Sequence, residues 1–285
     1  MDLQPAATRE RLTWIIFRTW PYDVHPSGRL RRTLRRQGLR EVEPVKIDGA
    51  AGGGAPLPTT ENGLIGAMTA ITRRRLAVAA TRIELRPGDT LMRSGEPIDR
   101  LVFPESAPVM LAVTTGSELQ DVGMIGKDGV VGWSRLLSDQ PAPFTASVRI
   151  QSGHALTVPA DAMLDVVRDD PTVLTALLEF SQRFAMQMAR TLASALRDAP
   201  ERRIARLLLM IDDRIDGDTM AVTHAAIADS LNLRRATVTD CLHILEGERM
   251  VRCTRGRITM RDRAALEACA SLAYVVADGV MGSGR

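Results

Sequence analysis

The stretch from Thr223 to Val251 constrains the fold most, because its apolar residues fall at helical spacing in two short runs separated by a turn. The first run spans His224 to Leu231, with Thr223 as N-cap and Ala225, Ile227, Ala228 and Leu231 spaced toward a core. Asn232 and Leu233 form the turn, and Asn tolerates the left-handed backbone that so tight a connection needs. The second helix starts near Arg235. Setting Val238, Leu242 and Leu245 inward leaves Ala236, Thr239, Asp240 and His243 facing out, with Arg235 at the exposed first turn. Followed by a β-wing over Arg255 to Met260, this is the pattern of a winged helix-turn-helix, a unit that places its second helix in a DNA groove. Helix-turn-helix spacing also arises by chance in helical proteins, so the flanking segments decide between the readings.

Those segments resemble the DNA-binding domain of the Crp/Fnr family of bacterial transcription regulators. Glu201 to Leu208 is similar to the helix that opens that domain, Arg255 to Met260 to its wing and Asp262 to Glu267 to its closing helix. From Asn232 to Arg263 there are eight arginines against four acids, a local excess that suits phosphate contact. Arg235 matches the Arg with which the family's recognition helix usually begins. Ala236 stands where a Glu is common and Asp240 where many members carry a further Arg, so the operator should differ from theirs. The resemblance implies Arg235 on a guanine edge, Thr239, His243 and Asp240 reading neighbouring bases, and Thr223, Arg234, Arg255 and Arg257 on phosphates.

Upstream, the chain resembles the family's effector domain from about Asn62. Residues 62–80 read as one or two entry helices. Short alternating segments then run through Thr81 to Arg86, Thr90 to Met92, Arg100 to Phe103, Val109 to Thr114, Glu118 to Ile125, Ala146 to Ile150 and His154 to Val158, broken by Gly and Pro turns. Such a series argues a β-roll or jelly roll. Asp169, Asp170 and Pro171 then open a long helix reaching about Arg197. Along it Leu177, Phe180, Phe184, Met188, Thr191 and Ala195 recur at three or four residues, flanked by Leu174, Leu178 and Leu192. So regular a stripe suits a two-helix coiled coil in a homodimer; it could also pack on the chain's own β-roll, and a wide stripe can do both.

In relatives that bind cyclic AMP, a Gly-Glu pair opens a short helix and an Arg before a Ser/Thr-Ala pair neutralises the phosphate. The matching positions here are Gly132, Trp133, Ser134, Arg135, and Phe144 with Thr145. Trp133 replaces the Glu and Phe144 the Arg, and a desolvated phosphate without a countercharge is strongly unfavourable. Cyclic AMP in the usual mode is therefore not expected. Arg135 or Arg149 could replace the missing cation; the favoured alternative is that Trp133 and Phe144 plug the pocket. No cofactor is expected: the three cysteines, Cys241, Cys253 and Cys269, lie in the C-terminal third, too few and too late for an iron-sulfur cluster, and the four histidines are scattered. Cys241 reads as a core residue, with a redox-sensitive thiol as the alternative.

The bulk numbers fit a two-domain globular protein: 285 residues, 25% charged, 45% hydrophobic and a net charge of +3. The odd cysteine count suggests a reduced, cytoplasmic setting, and no apolar run approaches a membrane span. Lysine is nearly absent, with only Lys46 and Lys127 among 37 basic residues, which weakens arguments from Arg count alone. The reading is an α+β chain: residues 1–60 an extension, 61–168 a β-roll/jelly-roll sensor domain, 169–198 a dimerisation helix, 199–270 a winged helix-turn-helix domain and 271–285 a tail. The basic run Arg29 to Arg36 is either a solvated or disordered extension or a DNA-clamping arm, and a mis-called start of translation, upstream of Met68 or of the helix near Asn62, is a further alternative. Double-stranded DNA, a second copy, RNA polymerase and an effector of unknown chemistry are the partners implied. A scaffold with a vestigial helix-turn-helix is the alternative.

Overall fold

A computed structural model describes residues 40–41, 60–115, 118–270 and 274. The extension and tail read from the sequence, including Arg29 to Arg36, lie outside the described residues except for Arg40, Glu41, Thr60 and Tyr274. Asn62 caps α1 (Gly63–Gly66), its Oδ1 accepting from the Leu64 and Ile65 amides while its Nδ2 donates to the Pro104 and Gly129 carbonyls. Buried at the domain entry, this one side chain thereby has its donors and acceptor satisfied. Thr69 caps α2 (Ala70–Ala79).

The β-roll follows as β2 (Thr81–Leu85), β3 (Asp89–Met92), β4 (Arg100–Pro104), β5 (Val109–Thr115), β6 (Glu118–Ile125), β7 (Thr145–Val148) and β8 (Gly153–Pro159). These match the expected series to within a residue or two. They form two sheets, one ordered β2-β8-β4 and one in which β3, β7, β5 and β6 are neighbours, with a short β1 (Arg40–Glu41) parallel to β3 at its edge. Leu101, Phe103, Val109, Leu111, Val148 and Leu156 from both sheets share one core. β7 is buried along its whole length although Thr145 and Ser147 are polar, and β4 is buried from Leu101 onward.

Two helices leave the roll. α3 (Ala160–Asp169), which the sequence reading left unassigned, buries Met163 and Val166 against the roll. α4 (Pro171–Arg197) starts where expected, with Asp170 as N-cap and Pro171 at its first position, where a missing N–H costs nothing. Its stripe, however, does not face outward as a dimer seam. Leu177, Phe180 and Phe184 are buried in the chain's own β-roll core, and Met188 packs against the same cluster. Thr191 is half-buried, donating to the Gln187 carbonyl, and of the six stripe residues only Ala195 is exposed. The physical reason is width: α4 carries two apolar faces, and the aromatic one closes the roll.

The C-terminal unit comprises α5 (Pro200–Asp212), β9 (Thr219–Met220), α6 (His224–Leu231), α7 (Arg235–Gly247), β10 (Val251–Thr254), β11 (Arg257–Met260) and α8 (Arg263–Ala270). Ile204, Leu208, Ile227, Val238, Leu242 and Leu245 form its core. β10, β11 and β9 make the wing sheet, in that order. Arg263 fastens α8 to the end of α5 through Asp212 and Asp213, and the Tyr274 hydroxyl joins the same cluster. No helix among the described residues is long and apolar enough to cross a membrane.

Candidate nucleic-acid interface

The helix-turn-helix is set by three local devices. The Thr223 hydroxyl accepts from the Ala226 amide and caps α6; Asn232 takes φ 50°, ψ 52° and stops it; Leu233 N–H then closes the turn on the Ala228 carbonyl. Ile227 and Ala228 face the core as expected, whereas Ala225 is exposed and Leu231 half-buried. A carbonyl left open at the end of α6, that of Leu231, accepts from the Arg203 guanidinium of α5, so the opening helix locks the turn.

With Val238, Cys241, Leu242 and Leu245 buried, α7 turns Arg235, Ala236, Asp240 and His243 to solvent, and Thr239 is half-buried. Arg234 is exposed immediately before the helix. In the wing, Arg255 and Arg257 are exposed on either side of Gly256, whose φ of 72° makes the tight turn. Arg249, Arg252 and Arg261 are exposed nearby, while Arg263 is not available to a ligand, being committed to Asp212, Asp213 and Glu267. Of the eight arginines between Asn232 and Arg263, seven are thus exposed and one is committed to carboxylates. Cys241 is core: burial pushes its thiol up to about 11, so no thiolate is present near neutrality.

His224, which the sequence reading did not single out, touches the outward face. Its Nδ1 lies 3.0 Å from the Thr239 hydroxyl, and that hydroxyl is also 3.1 Å from the Arg235 carbonyl. Burial, then Arg235 and His243, hold the His224 imidazole below the usual histidine range. No spacing rule connects residues on either side of the turn, so nothing in the sequence pointed to this pair.

At the effector position, Gly132 takes φ 88° and opens a single 3-10 turn, Trp133–Leu136. The Trp133 ring is buried, stacked 6.2 Å from Phe144 and edge-on to Phe180 and Phe184 at 5.4 and 5.0 Å between centroids. Thr145 is buried and Ser134 half-buried. Neither candidate replacement cation is free: Arg135 pairs with Asp139 at 2.5 Å, and Arg149 with Asp121 at 3.1 Å. Among the described residues no three His, Cys, Asp or Glu side chains gather as a metal site.

The roll and the helix-turn-helix unit share a buried seam. Met110, Met124 and Ile150 of the roll enter the C-terminal core. Ser230 of α6 donates to Asp121 of β6 at 2.7 Å, beside Arg149. Burial pushes the Asp121 carboxyl up to about 6, against the pull of Arg149 and Ser230. Arg214, just after α5, pairs with Asp128 at 2.6 Å across a loop so tight that a Cβ on Gly126 would stand 2.6 Å from the Arg214 stem. At the other end of that loop a Cβ on Gly129 would stand 2.1 Å from the Phe180 ring.

Comparison with known proteins agrees with this geometry. Residues 202–269 match the model of the Crp-like helix-turn-helix domain, and residues 82–170 that of the cyclic nucleotide-binding domain. The two matches together take in more than half of the chain, the cyclic nucleotide-binding match preceding the helix-turn-helix match. The chain belongs to the Crp/Fnr family. Its members are transcription regulators rather than enzymes, and the helix-turn-helix is the DNA-binding unit. A Crp-family relative, the global nitrogen regulator of Synechocystis sp., is 26% identical over 191 residues, which is 62% of this chain and 83% of that protein. FixK2 from Bradyrhizobium japonicum shares the Crp/Fnr fold with a TM-score of 0.56 at 19% identity, covering 66% of this chain and 95% of its own. A CRP-family transcriptional regulator from Thermus thermophilus does so with a TM-score of 0.54 at 22% identity, covering 67% and 96%.

Proposed function

We propose that this Crp/Fnr regulator acts in the cytoplasm as a homodimer on an inverted-repeat operator, with Arg235 reading a guanine through O6 and N7 in each half-site. The observation that carries the reading is the exposed face of α7, with Arg235 in its first turn above the buried Val238, Leu242 and Leu245. In this reading Thr239, Asp240 and His243 meet neighbouring bases, and Arg234, Arg255 and Arg257 hold phosphates. Thr223 caps α6 by accepting, so its hydroxyl hydrogen remains for a phosphate oxygen.

Support for the dimer comes from the second apolar face of α4. Leu178, Gln182, Ala185, Ala189, Leu192 and Leu196 are all exposed and succeed one another at alternating steps of four and three, the repeat of a coiled-coil seam. Leu192 and Leu196 are 62% and 75% exposed in the single chain. Leu192→Glu should therefore weaken dimerisation roughly a hundredfold or more, since each copy loses an apolar anchor and two like charges meet across the axis. Sedimentation equilibrium reads this directly, and an unchanged dimer constant would reject the seam.

In this reading the sensor does not take cyclic AMP in the usual mode, because Trp133 and Phe144 fill the position with aromatic rings while Arg135 and Arg149 are already paired with carboxylates. The effector is of another chemistry, and RNA polymerase is the partner through which the regulator acts. Footprinting genomic DNA with the purified full chain, with and without cyclic AMP, tests the whole. Symmetric protected half-sites about one helical turn apart, insensitive to the nucleotide, are expected. Arg235→Ala should cost about 1–3 kcal/mol at the operator and relax selectivity at one position per half-site. Equal losses on operator and random DNA would remove Arg235 from base reading.

A further inference from the structure

The outward face of α7 offers a base more methyl than hydroxyl. Thr239 is the residue of that face with a hydroxyl, and the one hydrogen of that hydroxyl is already committed inside the protein. It has a single hydrogen, and two acceptors stand within reach: the Arg235 carbonyl at 3.1 Å and the His224 Nδ1 at 3.0 Å. If the hydrogen goes to Arg235, the imidazole donates Nδ1–H to the oxygen; if it goes to His224, the imidazole is the acceptor. Either arrangement leaves no hydroxyl hydrogen for a ligand. Back-bonding to the carbonyl four residues earlier also fixes the rotamer, turning the oxygen toward the helix and toward α6 and leaving the Cγ2 methyl as the group Thr239 can present. Ala236, exposed three residues earlier and so adjacent on the same helix face, likewise has only a methyl to offer.

We infer that Thr239, positioned by His224 and flanked by Ala236, reads the C5-methyl of thymine by apolar contact next to the base taken by Arg235. This rests on the proposal that α7 is the base-reading helix. In the major groove the C5-methyl distinguishes thymine, and a Thr or Ala methyl is the side-chain group that meets it. The half-site should accordingly carry thymine beside the guanine, and the methyl, not the O4 acceptor, should be what is recognised there.

The test begins with duplexes selected from a random-sequence library by the purified full-length dimer. In the selected operator each thymine of a half-site is replaced in turn by uracil, which removes only the C5-methyl. Wild-type protein is expected to lose roughly fourfold in affinity at the thymine facing Thr239, the value of one buried methyl. Thr239→Val keeps the methyl and drops the hydroxyl, and should retain that discrimination; Thr239→Ser keeps the hydroxyl and drops the methyl, and should lose it at that one thymine. Thermal unfolding of both variants checks that α7 is still docked, and the uracil scan of the wild type needs no variant at all. Uracil tolerated at every thymine by the wild type, or discrimination lost in Thr239→Val as fully as in Thr239→Ser, would overturn the inference while leaving sequence-specific binding intact. A library that yields no enriched sequence would overturn the base-reading role of α7 itself, a distinct outcome.

Discussion

Arg149→Ala should destabilise the folded protein by about 3–5 kcal/mol at pH 8, the usual cost of removing one partner from a buried ion pair. The pair is well inside the molecule, with the Arg149 and Asp121 side chains 12% and 5% exposed. Without the guanidinium, Asp121 keeps only the Ser230 hydroxyl against a full desolvation penalty. The loss should depend on pH, and its sign follows from the carboxyl. Its folded-state value already stands at about 6, above the 3.8 of a free aspartate, and losing Arg149 raises it further. A folded pKa above the unfolded one means that the penalty is complete above the folded value and is relieved as protonation neutralises the group. The gap between variant and wild type in denaturant unfolding should therefore shrink from pH 8 to pH 5, and adding Asp121→Asn should recover most of it. A gap that stays flat or widens on acidification would show that Asp121 is not the group left exposed to the loss. Because Ser230 belongs to α6, the variant should also loosen the helix-turn-helix unit, seen as faster amide exchange along α6.

Trp133→Ala should cost a similar ~3–5 kcal/mol, the range for removing a large buried aromatic. Three rings, Phe144, Phe180 and Phe184, contact Trp133 and would line the void, and edge-on pairs add to the area lost. An apolar void of this kind stays dry and takes small aromatics. Millimolar indole should thus raise the melting temperature of Trp133→Ala toward that of the wild type, whereas cyclic AMP should raise neither. A loss below about 1 kcal/mol, or stabilisation by the nucleotide, would mean that the indole ring is not the plug.

Much of the helix-turn-helix was legible in the sequence because its information is local. Thr223, Asn232 and the Val238, Leu242 and Leu245 triplet act within a turn or two of themselves; α6 begins and ends at its Thr223 and Asn232 caps, and α7 starts at Arg235 as expected. The strands of the roll were legible for the same reason, bounded by Gly and Pro turns. The face of α4 was not. Its periodicity admits two apolar faces, and only the Phe180 and Phe184 contacts with Trp133 decide which one meets the roll. Local pattern also gave no access to pairings across many residues: Ser230 with Asp121, Asp128 with Arg214, and β9, two residues long, with β11. His224 stayed hidden because its partner Thr239 lies beyond a turn whose geometry has to be known before the two can meet.

The loop from Gly126 to Gly129 leaves little freedom to recombine this regulator with its relatives. Neither terminal glycine has space for a Cβ, and the residues between them are committed, Lys127 to Asp216 and Asp128 to Arg214. A chimera that joined this sensor to a foreign DNA-binding half at the end of α4 would bring in new side chains opposite a loop that cannot adapt to them. Such exchanges should succeed only when the loop and the residues following α5 travel together as one inherited block.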